Sequence, residues 1–326
     1  MTTPAPDSDS RSFLRSETFG AGVLLAATAG ALVWANWPGA TSYQRAWDGE
    51  VHHWLNDWLM AVFFLLIGLE IKRELVHGAL RDRRAAMVPL IAAVGGMVVP
   101  ALVFTAVLGA GAGRHAWGVP MATDVAFVVG VLAVLGRRAP TGLRAFLLTL
   151  AVADDIGAIV VIAIFYAGGL FHPTLVAVAL GLAFPTRARW LERIEGWLHP
   201  WSSLVVVPLF ALANAGVRLD GAGFSRLTWA VVVGLVVGKT AGIWSAAWAA
   251  RRFAGGRLPA GVEPAHLFGG AVLGGIGFTV SLFVADLALP SAQLHHAKIG
   301  VLAGSAASAV LGAAILVVHA RRPRPA

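Results

Sequence analysis

The stretch Leu148–Val161, LTLAVADDIGAIVV, decides the fold. Two adjacent carboxylates, Asp154 and Asp155, stand in a run that otherwise has the unbroken apolar character of a membrane-buried helix. A charge at the centre of such a helix costs about 2.5–3.5 kcal/mol. A chain keeps such residues only where they pair, carry protons or line a wet cavity.

The rest of the chain agrees with a membrane setting. Of 326 residues, 58% are hydrophobic and 13% charged, and the mean hydropathy is +0.75. Soluble domains carry nearer a quarter charged residues, so the composition reads as a polytopic membrane protein. There is no cysteine, which excludes disulfides, thiolate metal sites and thiol chemistry. The opening MTTPAPDSDSRSFLRSE reads as a polar tail, and the apolar run after it as an uncleaved first span.

Runs of about 20 apolar residues give ten expected spans, at 18–36, 57–77, 86–109, 116–135, 143–167, 173–186, 201–216, 227–249, 265–289 and 298–319. With the N-terminus inside, nineteen of the 25 Lys and Arg fall on inner segments, five on outer ones, and Lys239 within a span. This is the positive-inside bias. It places both termini in the cytoplasm and accounts for the net charge of +8 without nucleic acid.

Four ionisable residues lie deep in these spans: Asp124, Asp154, Asp155 and Lys239. Unpaired, they would oppose insertion by roughly 10 kcal/mol in total. Neighbours on a helix point about 100° apart, so Asp154 and Asp155 cannot serve one partner equally. The expected division turns Asp154 to Lys239 and Asp155 to a cavity shared with Asp124. Beside Asp124, Pro120 frees a backbone carbonyl and Thr123 offers a hydroxyl, in GVPMATDVAF. Oxygen ligands with carboxylate charge suit hard cations such as Na⁺ and Li⁺.

Spans three to five (86–167) and eight to ten (227–319) form two trios that the charge count orients oppositely. The middle member of each is interrupted, by GVPMATD in one and by GGIGFTVS, with Gly274, Gly275 and Gly277, in the other. Paired broken helices in inverted repeats point to a transporter's midplane site. The expected layout is a cytoplasmic tail at 1–17, interface-type helices at 18–85, a first core repeat at 86–167, further interface-type helices at 168–226, a second core repeat at 227–319 and a basic cytoplasmic tail at 320–326.

The chain resembles the NhaA-type sodium/proton antiporter family, itself a known case of that repeat pattern. The resemblance rests on LNDWLMAVFFLLIGLEIKREL, GVPMATDVAFVVGVLAVLG, LLTLAVADDIGAIVVIAIFY, LHPWSSLVVVPLFALANAGV, GLVVGKTAG and GGIGFTVSLFVADLAL, which cover most of the chain from residue 55 onward. It implies an all-α fold in a bacterial inner membrane, no cofactor, and Na⁺ held at Asp155 with Asp154 beside it. Asp124 and Thr123 would sit at the broken-helix crossing and Lys239 would be the charge partner. Glu70, Arg73, Glu74, Glu195 and His172 match positions the family associates with pH response. By spacing alone, Glu70, Arg73 and Glu74 equally describe a solvated helix end, and His172 an interfacial histidine.

Two departures stand out. The chain passes almost directly from IAIFY to GGLFHPTL, where the family usually has two more helices. The region between Asn36 and His53 is short where the family commonly carries a dimerising β-hairpin, which weakens the expectation of a homodimer.

The expected function is electrogenic, pH-dependent exchange of Na⁺ or Li⁺ for protons, by competition at the aspartates with alternating access. A passive cation channel is the first rival, discriminated by ion flux without proton movement. An intramembrane aspartyl protease is the second. It would leave Lys239 without a role, and the Gly-x-Gly-Asp signature of one such family is absent.

Overall fold

A computed structural model describes residues 8–38, 41–47, 50–76, 78, 81, 83–166, 172–183, 196–219, 224–253, 255–256, 258–259 and 261–321. Glu195 lies outside the described residues, as do 1–7 and 322–326. Among those described, the regular structure is helical. Its helices are α1 (Ser8–Asn36), α2 (Thr41–Ala46), α3 (Glu50–Val76) and α4 (Arg83–Leu108). A 3₁₀ helix (Arg114–Met121) then leads to α5 (Val125–Leu135), α6 (Thr141–Tyr166) and α7 (Pro173–Ala183). The chain closes with α8 (Gly196–Asn214), α9 (Arg226–Phe253), α10 (Pro264–Leu273), α11 (Thr279–Ala288) and α12 (Ser291–Ala320).

Among the described residues, seven helical stretches are long and apolar enough to cross a membrane. Apolar helices are the natural outcome for such a chain, because backbone groups in hydrocarbon must bond within their own segment. The protein is an all-α, multi-pass membrane protein. α3 has the length of a span, and its last turns carry Glu70, Lys72, Arg73 and Glu74. Two differences from the sequence reading are local. α1 starts at Ser8, so residues 8–17, expected as tail, are helical; no Gly or Pro between Ser8 and Phe19 stops the helix. Where the family's hairpin is expected stands α2, whose Tyr43 hydroxyl donates to the carbonyls of Leu212 and Ala213 and accepts from Gly216 N–H. Burial pushes that hydroxyl's pKa up to about 12.

The expected spans at 116–135 and 265–289 are each broken. The first is split at residues 122–124, between the 3₁₀ helix and α5. The second is split at residues 274–278, between α10 and α11. Around these breaks, α4 packs closely along α9. At their crossing, a Cβ on Gly95 would overlap the carbonyl oxygen of Gly242, and one on Gly242 that of Gly95. Small residues at a crossing let two membrane helices approach backbone to backbone. Among the described residues are three π turns: Ile162–Tyr166 forms the last turn of α6, and Ser202–Val206 and Gly234–Gly238 interrupt α8 and α9. The third immediately precedes Lys239, in keeping with the tendency of π turns to mark functional positions.

Gly242→Leu is expected to lower the thermal unfolding midpoint in detergent, because overpacking this crossing costs about 1–3 kcal/mol. An unchanged midpoint would show that the two helices are free to part.

Candidate functional site

The two breaks meet. Asp124 N–H donates to the carbonyl of Ile276 at 2.6 Å, joining one extended segment to the other. The Asp124 side chain then serves two helix starts. Its Oδ1 accepts from Phe127 N–H at 3.2 Å in the first turn of α5. Its Oδ2 accepts from Thr279 N–H at 3.0 Å and from the Thr279 hydroxyl at 2.8 Å at the start of α11. The first N–H groups of a helix lack intrahelical partners and carry partial positive charge. One buried carboxylate satisfies both starts.

The opposite ends are treated with the opposite polarity. Lys239 Nζ donates to the carbonyl of Met121, the last residue of the 3₁₀ helix. It also pairs with Asp154 Oδ2 at 2.9 Å, and both side chains are fully buried. The Thr123 hydroxyl lies 2.6 Å from Asp154 Oδ2 and 3.0 Å from the carbonyl of Gly274, the C-cap of α10. Asp154 Oδ1 is buried and has no hydrogen-bond partner among the described residues. A buried carboxylate oxygen without a donor invites a proton or a cation.

Asp155 faces another way. It lines a cavity of about 120 Å³ with Asp124, Thr123 and Thr279 on one wall and Glu70, His199, Ser202 and Ser203 on another. Asp154 is not among the lining residues. The adjacent aspartates are thus divided, one behind the wall with Lys239 and one on the cavity with Asp124. The helical turn of about 100° per residue requires such a division. The arrangement offers carboxylate and hydroxyl oxygens around one cavity, a donor set that suits a hard monovalent cation.

The remaining sequence candidates fall in different places. Glu70, with 37% of its side chain exposed, stands at the cavity mouth. Arg73 lies 4.0 Å from Glu70 and 3.8 Å from Glu74, so these three form one group on the last turns of α3. His172 precedes α7, where its carbonyl accepts from Leu175 and Val176 N–H groups, and it does not line the cavity. Pro120 is buried against Gly234. Gly274 and Gly275 lie in the second break, and Gly277 N–H donates to Ser305 at 3.2 Å. Sequence reasoning misses Thr279, His199, Ser202 and Ser203. Thr279 is legible as the hydroxyl that opens the second half-helix in GGIGFTVS. The other three come from α8, where their i, i+3, i+4 spacing in LHPWSS marks one polar helical face.

Because Lys239 and Asp154 are both buried, removing one partner strands the other's charge at about 3–5 kcal/mol, whereas removing both costs far less. Lys239→Met should therefore unfold at a lower temperature than the parent, and Lys239→Met with Asp154→Asn should recover part of the loss. A double variant no more stable than the single one would contradict the pairing.

Comparison with known proteins agrees with this geometry. The chain matches the family described as Na+/H+ antiporter 1 over residues 11–171 and 168–316. It is 39% identical to the Na(+)/H(+) antiporter NhaA of Vibrio vulnificus (strain YJ016) over 378 residues, covering 97% of each chain. It is 39% identical to Na(+)/H(+) antiporter NhaA 3 of Frankia alni over 411 residues, covering 96% of this chain and 89% of that one. It is also 39% identical to the NhaA of Vibrio cholerae (strain M66-2) over 368 residues, covering 94% of this chain and 96% of that one. Alignments of this length exceed the 326 residues present, so gaps open in this chain. The two family matches meet at 168–171, where the sequence passes directly from IAIFY to GGLFHPTL. The chain belongs to the Na+/H+ antiporter 1 family, as a shortened member.

Proposed function

We propose that this protein exports Na⁺ or Li⁺ in exchange for protons through competition at Asp155 and Asp154. The observation that carries the reading is the division of the two aspartates. Asp155 lines the cavity with Asp124, while Asp154 is held by Lys239 and Thr123 with one oxygen unpartnered. A cation entering past Glu70 meets Asp155 first. The hydroxyls of Thr123 and Thr279 are further oxygens of the same cavity, and Asp154 acts from behind it through its contact with Thr123. Carboxylates buried close together cannot all be ionised cheaply. The site therefore holds protons when it is empty of cation and releases them when a cation binds. Na⁺ and H⁺ compete for the same oxygens, so exchange needs no separate coupling device.

The positive-inside bias sets the C-terminal end of α3, and hence Glu70 and the cavity mouth, toward the cytoplasm of a bacterial inner membrane. The conformation described is then open inward. Rocking the trios 86–167 and 227–319 as one body against the remaining helices would expose the site alternately. The discontinuous helices at Pro120 and at Gly274, Gly275 and Gly277 form the pivot of that body. Two proton-carrying groups, Asp155 and the Asp154–Lys239 pair, face one monovalent cation. Each cycle then moves net charge, and the exchange is electrogenic. Glu70, Arg73, Glu74 and, outside the described residues, Glu195 set the field at the mouth, and His172 acts from α7; together they tune the response to pH. No cofactor is needed, since the driving force is the proton gradient.

The geometry does not favour the rivals. Asp124 spends both oxygens on helix starts and is not free to act as the second acid of a protease. A cation-selective channel has no need of a lysine buried against one of its carboxylates.

In inside-out vesicles carrying a proton gradient, Na⁺ or Li⁺ should dissipate ΔpH and K⁺ should not, with the effect growing as pH rises. Well below the pKa values of the two proton-carrying groups, each unit of acidification should raise the apparent KM for Na⁺ by more than about tenfold and up to about a hundredfold, by mass action of two protons at a shared site. Asp155→Asn should insert normally and lose the activity. Wild-type exchange by a well-inserted Asp155→Asn protein would refute the assignment.

A further inference from the structure

A second buried polar cluster lies at the other end of α3, and the exchange chemistry above makes no use of it. Asn56 of α3 and Asn214 at the end of α8 are 2% and 1% exposed. They trade side-chain hydrogen bonds: Asn214 Nδ2 donates to Asn56 Oδ1 at 2.7 Å, and Asn56 Nδ2 to Asn214 Oδ1 at 3.2 Å. Charges from two other helices grip this pair. Asp286 of α11 accepts from Asn56 Nδ2 at 3.4 Å. Lys298 of α12 donates to Asn214 Oδ1 at 3.2 Å. The amide pair thus stands between an acid and a base, giving a proton to one and a lone pair to the other.

The cluster is in line with the site. Asp286 is two helical turns beyond Thr279, which touches Asp124. Between them Phe283 packs on Phe64 of α3 with ring centroids 5.7 Å apart. Along α3, Asn56 is about 21 Å of helix rise from Glu70 at the cavity mouth. The helices joined are telling: α3 and α8 belong to the part that stays, and α11 and α12 to the part that rocks. The Asn56–Asn214 pair lies within the first part, while the Asp286 and Lys298 bonds cross to the second, so relative motion at this end breaks those two bonds.

We infer that Asn56, Asn214, Asp286 and Lys298 are positioning residues that hold the cation site shut on the face away from Glu70, and that they part when the site opens outward. The inference rests on the alternating-access reading. A polar closure suits the task, because its groups can exchange each other for water when they separate, so opening leaves none of them unsatisfied.

The chain has no cysteine, so a single introduced thiol reports access. Leu282, fully buried on α11 between Thr279 and Asp286, is the reporter as Leu282→Cys. Ala31→Cys, buried in α1, is the control. A membrane-impermeant maleimide is applied to the outer face, and labelling rates are compared with and without Asn214→Leu or Lys298→Met. Each is expected to raise labelling at 282 about fivefold, the population shift that one lost hydrogen bond brings, and to leave labelling at 31 unchanged. Unchanged labelling at 282 in both variants would overturn the inference. So would a parallel rise at 31, which would mean general loosening. The measurement reads access alone, so it can succeed or fail independently of whether Asp155→Asn abolishes exchange.

Discussion

The Asp124 carboxylate holds this structure together at its centre. A helix broken inside a membrane leaves N–H and C=O groups that hydrocarbon cannot satisfy. Two breaks could not persist unless each supplied what the other lacked. Asp124 answers the N–H groups of both α5 and α11, and its own N–H answers Ile276. Thr123 lies against the Gly274 carbonyl, and Lys239 answers Met121. The crossing is thus a closed exchange of donors and acceptors among residues far apart in sequence.

That exchange also sets the chemistry. With Asp124 committed to the helix starts and Asp154 held by Lys239, Asp155 is the carboxylate whose role in the cavity is least constrained by structure. Asp154 retains one oxygen without a donor among the described residues. The burial that makes these charges costly makes them useful. On the proposed reading, a proton and a small cation are alternative ways of neutralising the same buried oxygens, and the protein need only change which face has access. The Phe64–Phe283 contact and the amide pair lie along α3 on the side away from Glu70, while Glu70 lines the cavity.

Much of this is legible in the sequence, for physical reasons. Charges in an apolar run announce themselves by their cost, so Asp124, Asp154, Asp155 and Lys239 stand out from the residue order alone. Adjacent positions on a helix diverge, so the division between Asp154 and Asp155 follows. Pro120 and the glycines of GGIGFTVS mark where helices break. The double cap by Asp124 is not legible, since it depends on how two remote segments cross. Nor are His199, Ser202 and Ser203 on the cavity wall. Their i, i+3, i+4 spacing marks one polar face of α8, but a polar face does not say which remote segments it will meet. The bridge of Asn56 and Asn214 is hidden likewise, because single polar residues in separate spans do not name their partners. α1 runs past its expected start because hydropathy marks where a span is apolar and does not mark where its helix begins.

The central claim is that Na⁺ and H⁺ exclude one another at a single set of oxygens. The direct test is proton release on binding. Purified protein in weakly buffered detergent solution near pH 8 is titrated with NaCl, and bulk pH and binding heat are followed together. The account predicts saturable acidification that tracks Na⁺ occupancy, appears with LiCl, is absent with KCl and vanishes in Asp155→Asn. Saturable Na⁺ binding with no proton released would contradict it.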